Sequence, residues 1–373
     1  MNRSLVDVLP SVAAVLGARD GVDRLGLTDR LAGVRRVAVV LVDGLGWHLL
    51  PQLAPHAPLL AAVLAGADGE VDELACTFPS TTPTSLVSFG TGERPGAHGV
   101  LGFTVAVPGT ERVLVHIAWR EDPPPRDWQP RPTWFDRLTA AGVDARAVLP
   151  AAFLGSGLTL AAYGGARFCG VAAEADYAAA FAAEVAAGPG LVYGYTSLLD
   201  TAAHVHGIAS PEWAAAAADV DRLLTRIRAA LPPDAALLVT ADHGGLDVGP
   251  ARRIDVAAEP ALLAGVRLVV GEPRVRYLHV RPGAAPDVRD AWRERLGADV
   301  EVLLRDEAIA ADLFGPVLDS HRARIGDVVV ICRGQRAVFA SDREPPETAR
   351  LVGLHGSDSA AETATPLVLL RPE

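Results

Sequence analysis

Residues 37–44 read VAVVLVDG. Six apolar residues in a row, four of them valine, have no polar partner face, so a strand built from them must be covered on both sides. The run stops at Asp43-Gly44, as a buried parallel strand does where the chain turns out of a sheet. Outward from it, similar apolar runs predict strands at Ala147–Leu149, Gly190–Tyr195, Ala236–Thr240 and Asp327–Ile331. Longer stretches between them predict helices at Trp134–Ala141, Glu174–Ala187 and Pro211–Ala230, the last opened by Ser210-Pro211 as cap and first-turn proline. Strands alternating with helices predict an α/β fold, with a mostly parallel central sheet sandwiched by helices.

Two segments interrupt this rhythm. Residues 100–120 predict a hairpin around Pro108-Gly109. Residues 255–320 carry a strand, a helix, a second strand and another helix. They predict a small inserted α+β cap, which leaves 1–254 and 321–373 as the catalytic core. A continuation of the central sheet is the rival reading of that segment.

The chain has 373 residues, half of them apolar and 21% charged, which excludes a disordered polymer. Its net charge of −11 speaks against a nucleic-acid scaffold, which needs a basic face. There is no lysine, so Schiff-base chemistry and a P-loop lysine are excluded, and the one asparagine is Asn2. Cys76, Cys169 and Cys332 are widely spaced, a pattern that suits a reducing compartment. With no apolar run long enough to span a bilayer and no signal-peptide pattern, the expectation is a cytoplasmic enzyme that makes no membrane contact. Oligomeric state is not encoded in any feature of the sequence.

Chemistry-bearing residues gather where the open α/β sheet puts its ligands, beyond the carboxyl ends of strands. Asp43 ends the first strand. In CTFPSTTPTSLVSFGTGERPGAHG (76–99), Thr82-Pro83 reads as helix cap and first helical residue, placing a hydroxyl at the positive end of a helix dipole. Asp200 and His204 are four apart, so on a helix they share a face and can hold one cation. Asp242-His243 follows the strand at 236–240, and His355 sits in the glycine-flanked GLHGSDS. Each alone has an ordinary structural reading. Six acidic and imidazole groups at successive strand or loop ends, with a hydroxyl at a helix start, do not.

This set resembles the alkaline phosphatase superfamily, in its nucleotide pyrophosphatase/phosphodiesterase (type I phosphodiesterase) and phosphonoacetate hydrolase-like branch. The carriers are VDGLG, FPSTTPTSLVSFGTGERPGAHG, DTAAH, ADHGG and LHGSD, in the family's order from residue 37 to 358. The resemblance implies two divalent metal ions. One is held by Asp200, His204 and His355, the other by Asp43, Asp242, His243 and Thr82. It also implies Thr82 as nucleophile, ten residues before Gly92, with Thr81 and Ser80 as nearby rivals. The chemistry implied is hydrolysis of a small phosphorylated substrate through a covalent phosphothreonine. Mixed Asp/His ligation suits Zn²⁺, with Mn²⁺ as the alternative.

The sequence also departs from that branch. Where the family has Phe-Pro-Asn after its threonine, this chain has Pro83-Thr84-Ser85, and Gly102-Phe103 stand where the family places an asparagine that steadies the phosphoryl oxygens. Backbone N–H groups at Thr84-Ser85, the Ser85 hydroxyl, an arginine or water are the candidate replacements, and Ser85 and Phe103 the candidate substrate contacts. A phosphodiesterase is the expected activity; a phosphomonoesterase, a phosphonate hydrolase or a catalytically silent metal- or nucleotide-binding protein are the alternatives. A sulfatase is excluded because Cys76-Thr-Phe-Pro lacks the required register.

Overall fold

The structure, a computed structural model, describes residues 3–372; Asn2 lies outside them. Its centre is a seven-stranded sheet in the order 70–75, 364–370, 235–240, 36–42, 190–196, 145–150, 167–171. The Arg36–Val42 strand is parallel to both its neighbours, while Ala364–Leu370 runs antiparallel to Ala235–Thr240 and Glu70–Ala75. The sheet is therefore mostly parallel, as the apolar runs predicted. Alternation along the first strand sends Val37, Val39 and Leu41 into one core cluster and Ala38, Val40 and Val42 into another. These are the two faces of the sheet, each closed by helices.

Register positions the site. Val42 lies opposite Thr196, and Leu41 opposite Thr240. The three strands thus end together, and the segments after them, carrying Asp43, Asp200 and Asp242, emerge at one edge. Helix Pro211–Ala229 starts where expected, with the Ser210 hydroxyl accepting from the Trp213 N–H at 3.1 Å. The hairpin is present as Thr104–Ala106 paired with Val113–Val115.

Residues 255–320 do not extend the central sheet. Val266–Glu272, Val275–Val280 and Val300–Leu304 belong to a second, antiparallel sheet, and Val328–Cys332 joins it between the last two. That corrects the reading of 327–331 as a central strand and carries the small sheet past residue 320. The cause is plain in the burial. Val329 and Ile331 face the main core, whereas Val328, Val330 and Cys332 face a separate cluster around Trp292. A run covered on both sides looks the same in any sheet. No helix among the described residues is long and apolar enough to cross a membrane.

Candidate active site

Helix Thr82–Thr91 begins one residue earlier than expected. Thr81 caps it and Thr82 is its first residue, with Pro83 second. Thr82 keeps its place at the positive end of the dipole, half-buried, while Thr81 is fully buried. Asp200 and His204 share one face of helix Leu198–His206. Asp242 and His243 leave the sheet after Thr240. His355 is brought beside them because Gly353-Leu354 pairs with Leu246-Asp247.

Around His243, the imidazole Nε2 lies 3.1 Å from Thr82 Oγ1, 3.3 Å from Asp43 Oδ1 and 3.5 Å from Asp242 Oδ2. Around Asp200, Oδ2 is 3.1 Å from His204 Nε2 and Oδ1 is 3.9 Å from His355 Nε2, with the two Nε2 atoms 3.3 Å apart. The two groups adjoin: the His243 and His355 rings stack with centroids 3.5 Å apart.

Each imidazole is oriented through its other nitrogen. Nδ1 of His204 donates to the Gly353 carbonyl at 2.7 Å, that of His243 to Gly244 at 2.9 Å, and that of His355 to Ser80 at 2.9 Å. With the proton fixed at Nδ1, each Nε2 is left facing the site, which is how a ligating histidine is held. The carboxylates are braced as well. Asp43 Oδ2 accepts from the Tyr195 hydroxyl, and Asp242 Oδ1 from the backbone N–H of His243 and Gly44 at 3.1 and 3.3 Å.

Two of the oxygens on these aspartates have no donor. Asp43 Oδ1 and Asp242 Oδ2 are buried without a hydrogen-bond partner. An orphaned, buried carboxylate oxygen is costly unless a cation faces it. The electrostatics agree. Burial, then the charges of Asp242 and Asp200, push the Asp43 carboxyl well above its usual range, and burial with Asp200 pushes Asp242 up to about 7. Burial, helped by neighbouring His243, takes His355 down to about 3. Burial also works against the charged forms of Asp200 and His204, but their mutual attraction wins, holding Asp200 below its usual value and pushing His204 up to about 9. Crowded negative charge with imidazole lone pairs turned inward is a donor set that fits divalent cations. Asp43, Asp242 and His243 form one ligand group, and Asp200, His243 and His355 a second that overlaps it. His204 reaches the second group through the contacts given above.

A cavity of about 810 Å³ opens over these groups, lined by Asp43, Thr82, Asp200 and His355 together with Phe103. Phe103 is therefore where a substrate contact was expected. Ser85 is not. It is fully buried, and its hydroxyl bonds Thr77 Oγ1 at 3.0 Å, on the interior face of the helix rather than in the cavity wall. Its N–H is taken by the Thr81 carbonyl at 3.0 Å. Sequence reasoning missed two supporting groups and the tethering part played by a third. Tyr195, one residue before its strand ends, could have been flagged by the strand-end rule that flagged Asp43. Glu272 ends an apolar run, VRLVVGE, in the same manner. Ser80 was expected only as a rival nucleophile. It accepts from the Gly356 N–H at 3.1 Å and donates to the Ser357 carbonyl at 2.6 Å, so it ties the nucleophile loop to the His355 loop. His98 braces the helix that starts at Thr82: its Nε2 is 2.7 Å from Ser88 Oγ, and Nδ1 accepts from the Val100 N–H at 3.1 Å.

Comparison with known proteins bears on the fold and the family. No curated protein sequence matches significantly. Among solved structures, murine ectonucleotide pyrophosphatase/phosphodiesterase 5 superposes with a TM-score of 0.72 at 18% identity, over 89% of this chain and 87% of that one. An inactive variant of it in complex with AMP gives 0.71 at 17%, over 90% and 87%. The human counterpart gives 0.70 at 16%, over 89% and 87%. At these identities the likeness establishes an alkaline phosphatase-like fold. The family model described as type I phosphodiesterase/nucleotide pyrophosphatase matches residues 37–358. The chain belongs to the type I phosphodiesterase/nucleotide pyrophosphatase family and is a hydrolase of phosphoric ester or phosphoanhydride bonds.

Proposed function

We propose that this protein is a two-metal phosphodiesterase/nucleotide pyrophosphatase that works through a covalent phosphothreonine on Thr82. The observation that carries the proposal is the placement of one hydroxyl, at a helix start, 3.1 Å from the nitrogen that joins two buried, unpartnered carboxylate oxygens. Asp43, Asp242, His243 and Thr82 would hold one cation, and Asp200, His204 and His355 the other, with Zn²⁺ favoured over Mn²⁺ by the mixed ligands. When bound, such ions would supply charge neutralisation for the attacking and leaving oxygens and lower the pKa of the Thr82 hydroxyl.

The chain's own residues do the rest. Thr82 Oγ1 forms the new bond to phosphorus as the bond to the leaving oxygen breaks, and the Thr82 proton ends on the departing alcohol or phosphate. Water then cleaves the Thr82–phosphate ester, releases a phosphate monoester and restores the hydroxyl. The first-turn N–H groups of Thr82 and Thr84 have no acceptor within the helix, and its dipole favours the negative phosphoryl group. The Nδ1 bonds to Gly353, Gly244 and Ser80 keep the three imidazoles from turning, so these groups need no reorganisation during the reaction.

AMP in the murine neighbour's complex supports a nucleotide-sized phosphate ester as substrate or product here. The free thiols of Cys76, Cys169 and Cys332 support a reducing, cytoplasmic setting. The test is hydrolysis of bis-p-nitrophenyl phosphate against p-nitrophenyl phosphate with added Zn²⁺ or Mn²⁺. Faster diester turnover is expected. Preference for the monoester would move the assignment to a phosphomonoesterase, and no turnover with metal bound would make this a silent binding protein.

A further inference from the structure

The family's phosphoryl-steadying asparagine has no counterpart in this chain, and Ser85, one candidate replacement, faces the interior. A different group occupies the cavity wall. Glu272, the last residue of Val266–Glu272, is 5% exposed, lines the same cavity as Thr82, and has its Oε1 buried without a hydrogen-bond partner. Beside it is Thr81, whose fully buried hydroxyl faces the carboxyl. The side chain packs over Gly356, where a Cβ would come within 2.8 Å of Glu272 Cγ. The glycine after His355 thus makes room for this carboxyl at the site.

We propose that Glu272 fills the asparagine's role, its carboxylic O–H donating a hydrogen bond to a non-bridging oxygen of the phosphoryl group held at Thr82. This rests on the reading of Thr82 as nucleophile. A carboxylate at that spot would repel the substrate, so the group must be neutral to serve. The protein groups around it favour that form. Burial dominates and, with the charge of Glu362, pushes the Glu272 carboxyl up to about 8. The Thr81 hydroxyl, Arg276 and the Phe103 N–H act in the opposite direction without reversing it. The cations nearby are already engaged. Arg276 forms a two-point pair with Glu344, at 2.6 and 2.9 Å, and Arg274 one with Glu362, at 2.9 and 2.7 Å. A neutral carboxylic acid has the shape and donor of glutamine, and a preorganised donor at a phosphoryl oxygen is the kind of group whose removal costs turnover rather than binding alone.

The experiment compares wild type, Glu272→Gln and Glu272→Ala in the zinc-loaded enzyme with bis-p-nitrophenyl phosphate from neutral to alkaline pH. The Gln variant should stay within about threefold of wild type near neutrality, while the Ala variant loses about 10²-fold in kcat. Wild-type activity should carry an alkaline limb, at the pH where Glu272 ionises in the zinc-loaded enzyme, that the Gln variant lacks. Two readouts need no turnover. The infrared difference spectrum of wild type minus the Gln variant should show a protonated carboxylic C=O band below that pH. Inorganic phosphate binding, measured by calorimetry, should weaken in the Ala variant and hold in the Gln variant. Equal activity and phosphate binding in the Ala variant, a Gln variant as poor as Ala, or no protonated band would each overturn the proposal; the second outcome would mark Glu272 as an ionised anchor for a cationic substrate group. If wild type shows no turnover, the phosphothreonine reading fails by itself, and the infrared and phosphate measurements still decide Glu272.

Discussion

His243 stacks on His355 with ring centroids 3.5 Å apart and planes 15° from parallel. One residue comes from the turn after a central strand and the other from a late loop, so this contact joins the two ligand groups into one centre. His243 also touches the nucleophile candidate, and neither ring can tilt without breaking its bond to Gly244 or Ser80. Perturbing one group should therefore be felt in the other.

Thr82→Ala should lower diester turnover by at least about 10³-fold while leaving the melting temperature and most metal content unchanged, since it removes one half-buried hydroxyl. Thr81→Ala should keep turnover within about tenfold of wild type. Steady-state kinetics with metal analysis on both variants checks this. The reverse ranking would make Thr81 the nucleophile.

Chelation of the protein should abolish turnover, and added Zn²⁺ should restore it. The apoprotein should also melt lower, because a ligand bound at 100 times its Kd contributes about 2.7 kcal/mol to the folded state. Asp242→Ala should lose both metal and activity. Two equivalents of zinc retained by that variant would contradict the ligand assignment.

Ser80→Ala leaves the Gly356 N–H and the Ser357 carbonyl without their partner in a fully buried place. A loss of about 1–3 kcal/mol in stability is expected. The Ser80 carbonyl that orients His355 stays in place, so zinc affinity should fall only through the loosened loop, by less than the about 10–100-fold of losing an orienting partner. Denaturant unfolding and a zinc titration measure the two effects. Complete loss of turnover with metal affinity intact would instead favour Ser80 as nucleophile.

Glu272 makes stability depend on pH in a defined direction. Its carboxyl is raised from an ordinary 4.5 to about 8 in the folded chain, so over that interval the unfolded chain ionises while the folded one keeps its proton. The folded state binds more protons, and this group's contribution is therefore full below pH 4.5, is lost as pH rises through the interval, and is gone above about 8. Glu272→Gln removes the effect. Its melting temperature relative to wild type should climb across that window by at least about 2–4 °C. A constant offset would show that Glu272 does not titrate in this manner.

How much could be read without coordinates follows from what is local. VAVVLVDG specifies a strand covered on both faces and a carboxylate at its end, because side-chain alternation and chain reversal at glycine act over a few residues. DTAAH specifies a shared helical face for Asp200 and His204, and Thr82-Pro83 a helix start, for the same reason. The boundary slipped by one residue at Thr81 because cap and first turn accept the same residue types.

Other features depended on which distant segments came together. Val328–Cys332 reads like a central strand, yet pairs in the small sheet, since pairing is chosen by what covers each face. Ser85 looked available to substrate until the helix's rotation turned it onto Thr77. The Nδ1 anchors of His204, His243 and His355, the tether at Ser80 and the neutral environment of Glu272 each join residues far apart in the chain. Short-range propensities select strands, turns and helix starts; register, burial and the resulting electrostatic field exist only once those pieces are packed.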